Sequence, residues 1–128
     1  MATVTIELNK LPYQKSYVIK QGDGLEDAFH FKIKSEAATT YSDLTLVGST
    51  LLLYVSKGGV AVISGTKIIP DTASQGKFRV RVAGATTATW TDEYTYAVQC
   101  TFPVRHTNFP DGCVKTLLEG RIKIRLDL

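Results

Sequence analysis

Apolar and polar residues alternate with a period of two through much of the chain. Val4, Ile6 and Leu8 alternate with Thr3, Thr5 and Glu7, and Phe29, Phe31 and Ile33 with His30, Lys32 and Lys34. Phe78, Val80 and Val82 alternate with Lys77, Arg79 and Arg81, and Ile122, Ile124 and Leu126 with Arg121, Lys123 and Arg125. Successive side chains of a strand point to opposite faces, so each segment reads as a strand with one face in a core and the other in water. A slip of one residue would bury the charges, which pins the register.

Four further segments are more continuously apolar. Leu51 to Ser56, Val60 to Ser64, Tyr94 to Phe102 and Val114 to Leu118 read as central or doubly covered strands. Turn residues separate the segments, at Gly22-Asp23-Gly24, Gly58-Gly59, Pro70-Asp71, Gln75-Gly76 and Asp111-Gly112. Gly58-Gly59, between two apolar runs, predicts a tight hairpin, because primed turns need positive φ. Helix signals are confined to a short turn near Thr86 to Trp90, and the small, polar stretch Ser35 to Ser42 suits a crossover between sheets. The pattern predicts an all-β, antiparallel sandwich of about seven to nine strands, with a closed barrel as the alternative. One domain over 1–128 accommodates it, with 1–10 as an N-terminal arm or edge strand.

Composition removes whole classes. Hydrophobic residues make up 44% and charged residues 21%, which argues against a disordered tail, a collagen-like repeat or a helical membrane protein. The formal charge of +3 is spread from Lys10 to Arg125, whereas nucleic-acid binding wants a clustered basic stripe with stacking aromatics. The start, Met-Ala-Thr-Val-Thr-Ile-Glu-Leu, lacks a basic region followed by an apolar one, so synthesis in a cytoplasm without a signal peptide is expected.

Candidate chemistry is sparse. His30 should point away from the core beside Lys32 and Lys34, and His106 should lie exposed at a loop tip between Pro103 and Pro110. Neither has a partner at metal-ligand spacing. Cys100 and Cys113 read as two free thiols, with a cross-strand disulfide open if the register joins them. Cys100 in an apolar strand should be a poor nucleophile even if His106 were near. Glu26 with Asp27, and Asp92 with Glu93, are adjacent and so point to opposite faces of a strand, unlike a hydrolytic carboxylate pair. Asp23, Glu26 and Asp27 supply too few ligands for calcium, and the acidic pair would repel phosphate from Gly22-x-Gly24. Trp90 with Tyr94 are read first as packing residues and, as the rival, as a stacking platform for a sugar. No catalytic, cofactor or metal residues are assigned, and no enzyme activity is expected.

The order of strands and turns resembles the immunoglobulin-like N-terminal domain of tailed-phage baseplate upper proteins and its small relatives in phage particles. The resemblance is carried by Gln21-Gly22-Asp23-Gly24 and the alternating strand Ala28 to Lys34. It continues through Asp43-Leu44-Thr45-Leu46-Val47-Gly48-Ser49-Thr50, the Gly58-Gly59 hairpin and Gly76-Lys77-Phe78-Arg79-Val80. It ends with Glu93 to Val98 and Asp111 to Ile124. Leu46 and Val47 depart from it by separating Thr45 from Gly48, and the helical parts of long baseplate proteins have no counterpart.

The resemblance implies an immunoglobulin-like sandwich in a tailed-phage virion: baseplate or tail, connector, or capsid decoration. Its partners would then be other virion proteins and further copies of itself, with neither membrane nor cofactor. Physically, Thr3, Val4, Thr5, Ile6, Glu7 and Leu8 are the candidate assembly arm, pairing with a neighbour's sheet edge. The alternative function is a carbohydrate- or host-surface-binding module using Trp90 and Tyr94.

Overall fold

The computed structural model describes residues 2–35 and 37–126; Met1 of the N-terminal segment, Glu36 of the Ser35 to Ser42 connection and the last two residues lie outside it. Ten strands form two facing sheets. They are β1 (Ala2–Glu7), β2 (Tyr13–Gln14), β3 (Tyr17–Lys20), β4 (Leu25–Lys34), β5 (Ser42–Asp43), β6 (Thr50–Lys57), β7 (Val60–Ile68), β8 (Lys77–Val82), β9 (Glu93–Phe102) and β10 (Cys113–Arg125). The smaller sheet runs β1-β4-β5, with β8 also on β4; the larger runs β2-β10-β9-β6-β7, with β3 also on β10. The architecture is the expected sandwich, with one strand more than the upper end of the sequence estimate.

Both sheets are mixed, which corrects the all-antiparallel expectation. β1 runs parallel to β4, pairing Val4 with Phe31 and Ile6 with Ile33, and β2 and β3 run parallel to β10. The chain leaves the small sheet after β1, turns through a short 3-10 helix at Leu8–Lys10 and continues into the large sheet. Side-chain alternation is the same for both strand directions, so it could place β1 on a core but not orient it.

The core forms where the inward faces meet. Phe29, Phe31 and Ile33 of β4 are fully buried, as are Phe78 and Val80 of β8. Phe31 and Phe78 rings lie 5.5 Å apart, and Phe29 and Phe78 rings 5.8 Å. From the large sheet come Leu51, Leu53 and Val55 of β6, the inward row Tyr94 to Phe102 of β9, and Leu118, Ile122 and Ile124 of β10. Segments read separately as Val114 to Leu118 and Ile122 to Leu126 are one strand. A bulge between Thr116 and Leu118 shifts its phase, so that Leu117 and Leu118 are both buried.

Two connections differ from expectation. Ser35 to Ser42 does not cross between sheets: it returns so that β5 pairs with β4, and the crossing is made by the residues between Asp43 and Thr50. Val60 to Ser64 is not a covered strand but part of β7, at the edge of the large sheet, with Val60 and Val62 exposed. An apolar run reports β propensity without saying how many neighbours the strand has.

The Gly58-Gly59 hairpin forms as predicted, with φ of 57° and 82°, and the helical turn is α1 (Gly84–Thr87). Thr87 is fully buried, and its hydroxyl donates to the Asp23 carbonyl at 2.6 Å, tying α1 to the turn before β4. Thr87→Val keeps the shape and strands that carbonyl. The expected loss is about 1–2 kcal/mol, read as a fall in urea midpoint at constant m.

Candidate functional site

The candidate assembly segment, Thr3 to Leu8, is committed to its own sheet. Val4 is buried, Ile6 and Leu8 pack against the core, and Thr3 and Thr5 are exposed. Glu7 contacts Lys34 at 3.7 Å and Lys10 at 3.8 Å. The segment is therefore an edge strand and not a detached arm: donating it to a neighbour would uncover Val4 and one side of β4.

Trp90 and Tyr94 stack on each other, with ring centroids 4.6 Å apart and planes at 23°. Both are buried. Gln21 Nε2 donates to the Trp90 carbonyl at 2.9 Å, and Lys57 Nζ covers the Tyr94 ring at 5.4 Å. Their faces are filled by one another and by Lys57, an arrangement that closes a junction and presents no platform to a pyranose.

His106 is the clearest correction among the polar residues. It lies on a loop, as expected, but is only 5% exposed. Its ring sits 4.6 Å from that of Phe102 and 5.5 Å from that of Phe109. Nδ1 accepts the Asn108 N–H at 3.0 Å, so Nε2 carries the proton and donates to the Thr45 carbonyl at 2.7 Å. With both nitrogens used, His106 is a pin joining the loop after β9 to the crossing between β5 and β6. His30, by contrast, is on the outer face of β4, with Nε2 2.7 Å from Asp43 Oδ1.

Cys100 and Cys113 are both free thiols. Cys100 is fully buried, and burial pushes its thiol from 9.0 up to about 12. Burial likewise raises the Tyr17 and Tyr96 phenols; Tyr17 is raised further by donating to Asp27 Oδ2 at 2.6 Å, a bond from β3 to β4 that joins the two sheets. In each case the folded state holds a proton that the unfolded chain releases first. For Cys100 that stabilisation is whole below the unfolded value near 9.0 and is lost as pH rises towards about 12; for the two phenols it is whole below 10.0 and falls above it. The urea midpoint should stay level to about pH 9 and then fall, with Cys100→Ala and Tyr17→Phe each removing part of the slope. A level midpoint to about pH 11 would contradict this.

The remaining feature lies where β7 and β8, edge strands of opposite sheets, approach each other. A groove of about 420 Å³ opens there, floored by Leu53, Thr66 and Ile68 and flanked by Ile69, Arg79 and Arg81. Arg79 donates to Asp71 at 2.9 Å and to Glu26 at 2.8 Å, and Arg81 to Glu26 at 3.2 Å. These hydrogen bonds, that from Arg79 foremost, hold the Glu26 carboxyl below the usual carboxylate range. Exposed Ile69, Val60 and Val62 lie along the same margin. The apolar run Val60 to Ser64 was the signal for this surface, but it reads equally as a buried strand.

Among the described residues no cluster of His, Cys, Asp or Glu is arranged to hold a metal, and no helix is long and apolar enough to cross a membrane. What the geometry defines is a two-layer sandwich of mixed sheets whose distinctive surfaces are strand edges and end loops.

No family model matches the sequence, and no curated protein does. Among solved structures, the fold is similar to that of the N-terminal domain of phage TP901-1 ORF48. The TM-score is 0.56 over 97% of this chain and 97% of that one, at 7% identity. A candidate glycoside hydrolase from Bacteroides vulgatus aligns with 87% of this chain but 17% of its own length, with a TM-score of 0.41 and 12% identity, and it carries no argument.

Proposed function

We propose that this protein is a non-enzymatic structural component of a tailed-bacteriophage particle, acting by docking to neighbouring particle proteins and to copies of itself. The observation that carries the reading is the end-to-end correspondence with the phage TP901-1 domain, which takes in nearly all of both chains. Sequence resemblance to the immunoglobulin-like baseplate domain points the same way. A baseplate, tail or connector position follows from that resemblance, and a capsid-decoration role suits the same small sandwich. Two layers holding edge strands and end loops at fixed geometry suit assembly better than turnover. Trp90 and Tyr94, each turned to the other, give a sugar-binding role no exposed ring face.

The test is direct. Particles of the phage encoding the chain are banded by density and analysed by mass spectrometry, beside particles from a strain with the gene interrupted. The chain should be present in stoichiometric amount, and its loss should halt assembly or leave particles lacking one layer of protein. Absence of the chain from infectious, fully assembled particles would overturn the proposal.

A further inference from the structure

Along the sequence the cations are scattered, but the fold gathers three of them at one corner of the large sheet. β3 pairs with the last four residues of β10, setting Val18 beside Lys123 and Lys20 beside Arg125. Tyr17, Ile19, Ile122 and Ile124 turn to the core, so these four share the outer face, and all are exposed. Three cations and a valine that is 62% exposed stand there with no carboxylate among them. Their charge equals the formal +3 of the whole chain. Elsewhere ion pairs take up cations: Lys34 with Glu7, Lys57 with Asp92, and Arg79 with Glu26 and Asp71.

The acids beside this corner are committed as well. Glu93, the register partner of Lys123 on β9, turns its carboxylate to Arg121 at 3.1 Å. Glu119 accepts a hydrogen bond from Gln14 Nε2 at 2.6 Å. Lys20 and Lys123 form no ion pair among the described residues. Like charges set directly opposite on neighbouring strands weaken a sheet. Such a pairing, kept on an exposed face, marks a surface whose compensation comes from outside the chain. We infer that Val18, Lys20, Lys123 and Arg125 dock an acidic segment of a neighbouring protein. This deepens the assembly reading by giving the partner's chemistry, and it rests on that reading. Carboxylates of the segment seat on the cations and an aliphatic side chain on Val18. A strand rises about 3.3 Å per residue, so the corner spans roughly 10 Å, the reach of a few extended residues. It presents no exposed ring on which a base could stack, Tyr17 being turned inward, which favours protein over nucleic acid.

The purified full-length chain is titrated into a fluorescent oligoglutamate peptide and, separately, a thymidine oligonucleotide of the same charge, with anisotropy as the readout. The chain should bind the peptide, and more weakly as salt rises. Lys20→Gln with Lys123→Gln should weaken that binding about five- to thirtyfold, the sum of two exposed charge contacts. The urea midpoint should not fall, because the change relieves the opposition of Lys20 and Arg125. Lys67→Gln with Lys115→Gln removes the same net charge at exposed positions elsewhere and should bind like the parent. No binding of the peptide, an equal loss in both double variants, or tighter binding of the oligonucleotide overturns the inference. Both double variants are then carried in the phage gene. Exclusion of the Lys20 and Lys123 variant alone from particles supports the docking face, while its entry at the parental level overturns that face and spares the assembly reading. A parent chain that binds the peptide but is absent from particles overturns the assembly reading and spares the acid-binding corner.

Discussion

Phe31→Ala should lower stability by about 3–5 kcal/mol, the usual cost of removing a fully buried aromatic ring together with the cavity left behind. Phe31 is fully buried and packs on Phe78 and Phe29, with ring centroids 5.5 Å and 6.3 Å away. Its position leaves little room to collapse. β4 is held by β1 on one side and by β5 and β8 on the other, so its backbone cannot move in to fill the void. A domain of this size has about 5–15 kcal/mol in all, so the variant should lose a large share of its margin. The measurement is the urea midpoint at constant m, with Phe31→Leu expected to retain more than half of the difference. A loss below about 1.5 kcal/mol would mean that the site relaxes and that the three-ring cluster is not a rigid centre.

The same strand shows what was legible in the sequence. Phe29, Phe31 and Ile33 were placed on the core face by alternation alone, as were Phe78, Val80 and Val82 of the neighbouring β8, because a period of two has one solution when one face carries charge. The limits follow from what alternation omits. It is blind to strand direction, so the parallel course of β1, β2 and β3 was hidden. A bulge breaks its phase, so β10 looked like two strands, split near Leu117. It does not count neighbours, so the apolar β7 passed for a central strand when the fold leaves it at an edge.

The candidate surfaces were less legible for a related reason. Trp90, Tyr94 and His106 carry groups that serve equally in recognition and in packing, and only the third dimension decides. His106 lies four residues from Phe102 and three from Phe109, a spacing with no regular period, because a loop brings the three rings together. The β7 groove depends on strands from different sheets meeting at one margin, which no local pattern records. Polar bonds between distant segments, such as Tyr17 to Asp27, are likewise invisible until the sheets are stacked.

Gly76→Ala should cost about 2–4 kcal/mol, from two sources that can be separated. Gly76 ends the short 3-10 helix at Ala73–Gln75 with φ 67° and ψ 30°, a left-handed conformation in which an alanine costs about 1–2 kcal/mol. A Cβ there would also lie 2.6 Å from the Leu44 carbonyl oxygen and 2.8 Å from that of Phe31. Both are backbone atoms, and the Phe31 carbonyl accepts the Leu44 N–H at 2.9 Å, so neither can swing aside without breaking the link between β4 and the crossing segment. Gly58→Ala is the control. It has a similar φ of 57° and nothing within 4 Å of the added carbon, so it should show the conformational cost alone. The difference between the two variants then measures the close approach of three backbone segments around Gly76. Equal losses would show that the chain at Gly76 yields freely, and that the Leu44 to Phe31 link is not what fixes the crossing between the two sheets.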